Sequence, residues 1–324
     1  MSNSNPSSPS PNDDDEPLHD LPKARFWDAV DLSQWEGYWF RLSLMKPAIF
    51  FRSNFQARDD DILLASTMKT GTTWLKALSL CILHKNTHDH LLSLENPHFH
   101  VPTIEAMTYA TKNLPVDVYD TSTPHLLHTH LPYAVLPDSV KNSACKIVYI
   151  ARNPKDTLIS MWHFFNKVYR PNENPFPLEE ALDGFCNGIH LYGPYFDHVA
   201  EYWVESRRRP GKVMFVKYEE LKSDPNGRVA EIAEFLGRPF VDGREIDEVL
   251  WSCSLERLKG LEVNKGGSLF SNIPNSGGSI FNVPNSLFFR KGEVGDWKTY
   301  LTPEMEHQID QVSREKFEPL GLFF

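Results

Sequence analysis

Three short apolar runs, at 62–65, 145–151 and 213–216, are each followed by a polar turn and then by apolar residues at helical spacing. Runs this short, apolar on both faces, suit strands buried inside a parallel sheet rather than at a solvated edge. Joining parallel strands requires a crossover, and the helical patterns supply it. The chain is therefore expected to be α/β: a single domain with a central, mainly parallel sheet flanked by helices. A fourth run, His125-Leu126-Leu127-His128-Thr129-His130, reads as a short strand stopped at Leu131-Pro132, with His128 and His130 on one face.

The turn after the first run carries most of the chemical information. Met68-Lys69-Thr70-Gly71-Thr72-Thr73 leads into a helix marked by Trp74, Leu75, Leu78, Cys81 and Ile82. Gly71 permits a close approach of the backbone, and the first N–H groups of the helix point at whatever lies there. Lys69 adds a positive charge, and Thr72 and Thr73 add hydroxyls. The order differs from that of a nucleoside-triphosphate loop, in which Lys follows the last Gly and a hydroxyl residue follows Lys. Here Lys69 precedes Gly71. The second run ends in Arg152-Asn153-Pro154 where a magnesium-binding strand would end in Asp. The expectation is a P-loop-like turn that grips phosphate with cations instead of a metal. The paired His128 and His130 admit a metal reading, but the stretch offers no acidic or thiolate partner and such a pair is often only hydrogen-bonded structure. The other reading is that one of them is a general base, its pKa tuned by apolar neighbours.

Composition narrows the partners. The net charge of −10 speaks against a nucleic-acid surface or an anionic membrane, so an anionic ligand must be met by local Lys and Arg clusters. No apolar stretch is long enough to span a membrane, since Lys76 and Lys85 interrupt the longest. Residues 1–20 are rich in Ser and Pro, then acidic, and read as a disordered tail with no secretory or transit signal; the domain would occupy 21–324. The four cysteines (Cys81, Cys145, Cys186 and Cys253) show no C-x-x-C pair, in keeping with free thiols in a cytoplasmic protein. The aromatic-rich stretch 27–55 reads mostly as core, and 86–124 as loops over one end of the sheet. A near-duplication, Gly266-Gly267-Ser268-Leu269-Phe270 against Gly277-Gly278-Ser279-Ile280-Phe281, reads as a loop. A last helix is expected near Thr302-Pro303-Glu304.

Four segments in one order resemble the soluble, cytosolic sulfotransferases that use 3′-phosphoadenosine-5′-phosphosulfate (PAPS). They are Lys69-Thr70-Gly71-Thr72-Thr73-Trp74, Thr129-His130-Leu131-Pro132, Arg152-Asn153-Pro154-Lys155-Asp156 with Ser160, and Arg290-Lys291-Gly292 with Gly295-Asp296-Trp297. The wording of Tyr218-Glu219-Glu220-Leu221-Lys222 is most similar to the plant branch. The resemblance implies that Lys69, Thr70, Gly71, Thr72, Thr73 and Trp74 cradle the 5′-phosphosulfate. It implies that Trp74 and Tyr218 pack on the adenine, with Cys253 in the nucleotide-binding set. Arg152, Ser160, Arg290, Lys291 and Gly292 would hold the 3′-phosphate. Lys69 and His130 would be catalytic, with His130 taking the proton of the acceptor hydroxyl, and Phe164 would wall the acceptor pocket. PAPS is then the co-substrate, 3′-phosphoadenosine-5′-phosphate (PAP) the product, and no metal takes part. The acceptor would be a small hydroxylated plant metabolite such as a flavonoid, hydroxyjasmonate, brassinosteroid or other phenolic. The chain departs from the family at Met68, where Pro is usual, at His128, where many animal members have Lys, and at Leu255, where an aromatic is common. It also lacks the carboxyl-terminal dimer motif of animal members, which leaves its oligomeric state open. The rival readings are a P-loop kinase or NTPase, marked by dependence on magnesium-ATP, and a non-catalytic nucleotide-binding relative.

Overall fold

The computed structural model describes residues 20–85, 87–105, 124–269 and 283–324. The chain begins with an antiparallel meander, β1 (Lys23–Phe26), β2 (Val30–Trp35) and β3 (Tyr38–Phe40), and then helix α1 (Leu42–Asn54). Strand β4 (Ile62–Ser66) leads to α2 (Thr72–Leu83), α3 (His88–Leu94) and α4 (Pro97–His100). Then come β5 (Leu126–Thr129), α5 (Asp138–Asn142), β6 (Lys146–Ala151), α6 (Pro154–Tyr169), α7 (Leu178–Cys186), α8 (Tyr195–Arg208) and β7 (Val213–Lys217). The remainder comprises α9 (Tyr218–Ser223), α10 (Pro225–Phe235), α11 (Gly243–Ser252), α12 (Leu255–Gly260), α13 (Glu262–Lys265), a two-residue ladder of β8 (Ser268–Leu269) with β9 (Val283–Pro284), and α14 (Pro303–Phe317).

The central sheet is all parallel, in the order β5-β4-β6-β7. Its residues alternate between two apolar layers as the period of two requires. Leu63, Ala65, Ile147 and Tyr149 face a layer containing Phe26, Phe165, Val199 and Tyr202, whereas Leu64, Val148 and Ile150 face Leu75, Leu78, Ile82, Val229 and Ile232. Burial on both faces explains why these strands appeared in the sequence as unbroken apolar runs.

The expectation for 86–124 needs correction. Short helices α3 and α4 lie there, burying His88, Leu92, Pro97 and His98. Their four to seven residues are too short to show a helical period, and half of the buried side chains are imidazoles, so the pattern was hidden. The aromatic stretch 27–55 supplies buried Trp27, Tyr38, Phe40, Phe51 and Phe55, while Phe50 is exposed. The tail expected at 1–20, apart from Asp20, and the near-duplicated residues 270–282 lie outside the described residues.

Candidate active site

In a parallel sheet all strands end on the same side, and ligands bind in the crevice beyond those ends. Register puts Ser66 beside Ile150, Ala65 beside Thr129 and Ala151 beside Lys217. The residues that follow each strand, Met68 and Lys69, His130, Arg152 and Tyr218, therefore emerge together. They line one cavity of about 370 Å³.

The turn after β4 is built for a close-bound ligand. Gly71 has φ +112°, and a Cβ there would stand 2.8 Å from Tyr218 Cδ2 and 3.0 Å from Ile150 Cδ1. Only glycine meets both conditions. Lys69 also takes a left-handed φ of 69°, a strained conformation for a long side chain and one that clusters at functional sites. Thr70 is fully buried, and its hydroxyl donates to the carbonyls of Thr67 (3.0 Å) and Ile150 (3.1 Å), tying the turn to β6. Its side chain thus points into the fold, while Lys69, Gly71, Thr72, Thr73 and Trp74 line the cavity. The amino end of α2 has no acidic residue in its first turn and no side-chain cap. Its free N–H groups fit a phosphate.

Charge concentrates here despite the acidic background. Burial, then Arg290 and Arg152, push Lys69 down to about 7. Its Nζ rests 4.0 Å from the centre of the Phe164 ring. The expected cations Arg152, Arg290 and Lys291 line the cavity with Ser160 and Gly292, although they come from β6, α6 and the segment before α14. Three ties bring that segment in. The Tyr218 hydroxyl donates to the Gly292 carbonyl (2.9 Å), Arg152 Nη2 donates to the Glu293 carbonyl (2.6 Å), and Asp156 accepts from the N–H groups of Gly295 and Trp297. Asp296 accepts a hydrogen bond from Lys291 at 2.6 Å and forms an ion pair with Arg290 at 2.6 Å, which orients both. Trp74 and Tyr218 meet edge to face with centroids 5.6 Å apart, and Cys253 and Leu255 continue that wall.

His130 lies one residue past β5. Its Nδ1–H donates to the Ser66 carbonyl at 2.8 Å, which leaves Nε2 with its lone pair. Its own N–H donates to Glu105 Oε1 at 2.7 Å, and its carbonyl accepts from His198 Nε2 at 3.0 Å. Burial pushes the imidazole down to about 3, so it is neutral at physiological pH. The His128 and His130 rings are 4.5 Å apart, the shared face expected from alternation. No group of three or more His, Cys, Asp or Glu arranged to hold a metal exists among the described residues.

The family of sulfotransferase domains matches residues 59–321. The chain belongs to the sulfotransferase family. Over 316 residues it is 41% identical to cytosolic sulfotransferase 5 of Arabidopsis thaliana, with 95% of each chain covered. It is 38% identical over 313 residues to cytosolic sulfotransferase 12 of the same plant, covering 95% of this chain and 92% of that one. A crystal structure of mouse sulfotransferase SULT7A1 complexed with PAP superposes with a TM-score of 0.64 at 29% identity, covering 90% of this chain and 96% of that one. The protein is a PAPS-dependent sulfotransferase, and the P-loop kinase reading falls away. Every expected site residue except Thr70 lines the cavity or its continuation past Lys69 and Phe164. Sequence reasoning missed His98, Lys222, Leu258 and Phe288, which share the lining. His98 sits on a four-residue helix within the stretch taken for loop, and no motif flagged it.

Proposed function

We propose that this sulfotransferase moves the sulfuryl group of PAPS to a hydroxyl of a small, largely apolar metabolite, with His130 as the base. The observation that carries this reading is the His130 Nδ1 to Ser66 carbonyl bond, which reserves Nε2 for the cavity that Lys69 also enters. The backbone N–H groups at 71–74, with Thr72 and Thr73, hold the 5′-phosphosulfate. Arg152, Ser160, Arg290, Lys291 and Gly292 hold the 3′-phosphate, and Trp74, Tyr218 and Cys253 lie against the adenine. The acceptor oxygen attacks sulfur in line while its proton passes to His130 Nε2. The bond between sulfur and the bridging oxygen breaks, and the charge left on that oxygen meets Lys69 and the α2 amino end. Met68, Phe164 and Phe288 give the acceptor side apolar walls, which supports a flat or alicyclic alcohol or phenol over a strongly charged one.

The test is a screen of hydroxylated plant metabolites, including flavonols, hydroxyjasmonate and brassinosteroids, with labelled PAPS, followed by the same assay on His130→Ala. Transfer to at least one acceptor by the wild type, lost in the variant, is expected. Undiminished turnover in the variant would remove the base.

A further inference from the structure

One buried group takes no part in the chemistry above. Lys76, on the second turn of α2, is 0% exposed, and no carboxylate among the described residues pairs with it. Its Nζ instead donates to Thr103 Oγ1 at 2.9 Å and contacts His98 Nδ1 at 3.1 Å. Buried Glu105 acts on it electrostatically from beyond ion-pair distance, and an amine buried this fully is costly unless its hydrogens are used. Both contacts lead back to the phosphate turn.

On one side, His98 Nε2 lies 2.9 Å from Thr73 Oγ1. On the other, Thr103 Oγ1 lies 3.0 Å from His128 Nδ1, His128 Nε2 lies 2.9 Å from Ser66 Oγ, and Ser66 Oγ lies 2.7 Å from Thr72 Oγ1. An imidazole that accepts at one nitrogen must, when neutral, donate at the other, and a hydroxyl that accepts is free to donate onward. An amine keeps at least two N–H groups whether charged or not. Starting from Lys76 as donor, therefore, every bond in both branches acquires one direction. Each branch ends at a threonine whose lone pair is taken from behind and whose hydrogen is left for the cavity.

We infer that Lys76 is a positioning residue whose two hydrogen-bond chains, through His98 and through Thr103, His128 and Ser66, force the Thr73 and Thr72 hydroxyls to donate to the 5′-phosphate of the bound nucleotide. The inference rests on the reading of 69–74 as the 5′-phosphosulfate cradle. It also gives a role to His128, which relays a hydrogen bond from Thr103 to Ser66.

Calorimetric titration of the full chain with two nucleotides tests this. PAP has the 5′-phosphate; adenosine 3′-monophosphate does not. The wild type prefers PAP, and Lys76→Met lowers PAP affinity by about 10-fold while leaving adenosine 3′-monophosphate affinity unchanged, since hydrogen bonds to charged groups are the stronger ones. A variant that keeps the full preference overturns the inference, and so does one that loses both ligands equally, because that is the mark of a general disturbance. A wild type with no preference overturns the cradle reading itself. If Lys76→Met does not fold, Thr103→Val and His98→Phe each cut one branch; each should lose part of the preference, and two unaffected variants overturn the inference.

Discussion

The Asp156 carboxylate accepts the Gly295 backbone N–H at 2.7 Å, across 139 positions of sequence, and the Trp297 N–H at 3.1 Å. Asp156 is 1% exposed and has Arg152 Nη2 3.7 Å away. This contact fastens the segment carrying Arg290 and Lys291 onto α6, which carries Ser160. The cationic cluster proposed to hold the 3′-phosphate is thus held together by a residue expected to touch no ligand.

Asp156→Ala should therefore injure binding from a distance. It strips two part-buried N–H groups of their acceptor and leaves Arg152 without its carboxylate neighbour, at a cost of about 3 kcal/mol in urea unfolding. PAP affinity should fall about 10-fold or more as Arg290 and Lys291 lose their position. Reduced stability with wild-type affinity would show that the segment holds its place without this tie.

Removing the proposed base should separate chemistry from binding. His130→Ala is expected to lower kcat by roughly 10² to 10⁴, the range for positioned proton transfer, while PAP binding stays within about twofold. Steady-state rates and calorimetry together read the split.

The pH dependence has a definite sign on each side. His130, pushed down to about 3, is already in its basic form at pH 5, so kcat should show no acid limb centred on the ordinary histidine value. Lys69, pushed down to about 7 by burial and by Arg290 and Arg152, is protonated below that pH in the free protein. Binding an anion raises its pKa, so above pH 7 association must take up a proton and PAP affinity should weaken as pH rises. Titrations from pH 6 to 9 on wild type and Lys69→Met test this; the same slope in both would assign the effect to another group.

At Gly71 the expected damage is steric. Gly71→Ala combines a φ of +112° with a Cβ 2.8 Å from Tyr218 Cδ2, so the turn must shift or Tyr218 must swing off Trp74. A loss of about 2 kcal/mol in unfolding free energy and a clear drop in PAP affinity are expected. Full affinity in a folded variant would mean the close approach is dispensable.

Much of this site could be read from the chain because its parts are local. A strand, a glycine that must turn left-handed and the amino end of a helix form within about fifteen residues, and their chemistry needs no distant partner. Three of the four parallel strands, β4, β6 and β7, were legible because burial on both faces leaves a short, mainly apolar run, and β5 because its run stops at Leu131-Pro132. Segment 88–100 escaped because its helices are brief and its buried residues largely polar.

What the sequence by itself determined is the four parallel strands, the glycine turn after the first of them and the identities of the cations, not the amino-terminal meander. Only the tertiary structure decided that Thr70 turns inward, that Asp156 carries the Gly295 segment, and that Lys76, which in sequence merely interrupts an apolar run, is fully buried at the root of two hydrogen-bond chains. The physical reason is that a polar side chain has no fixed meaning along the chain. Its protonation, its direction of donation and its cost of burial are set by neighbours that folding brings from elsewhere.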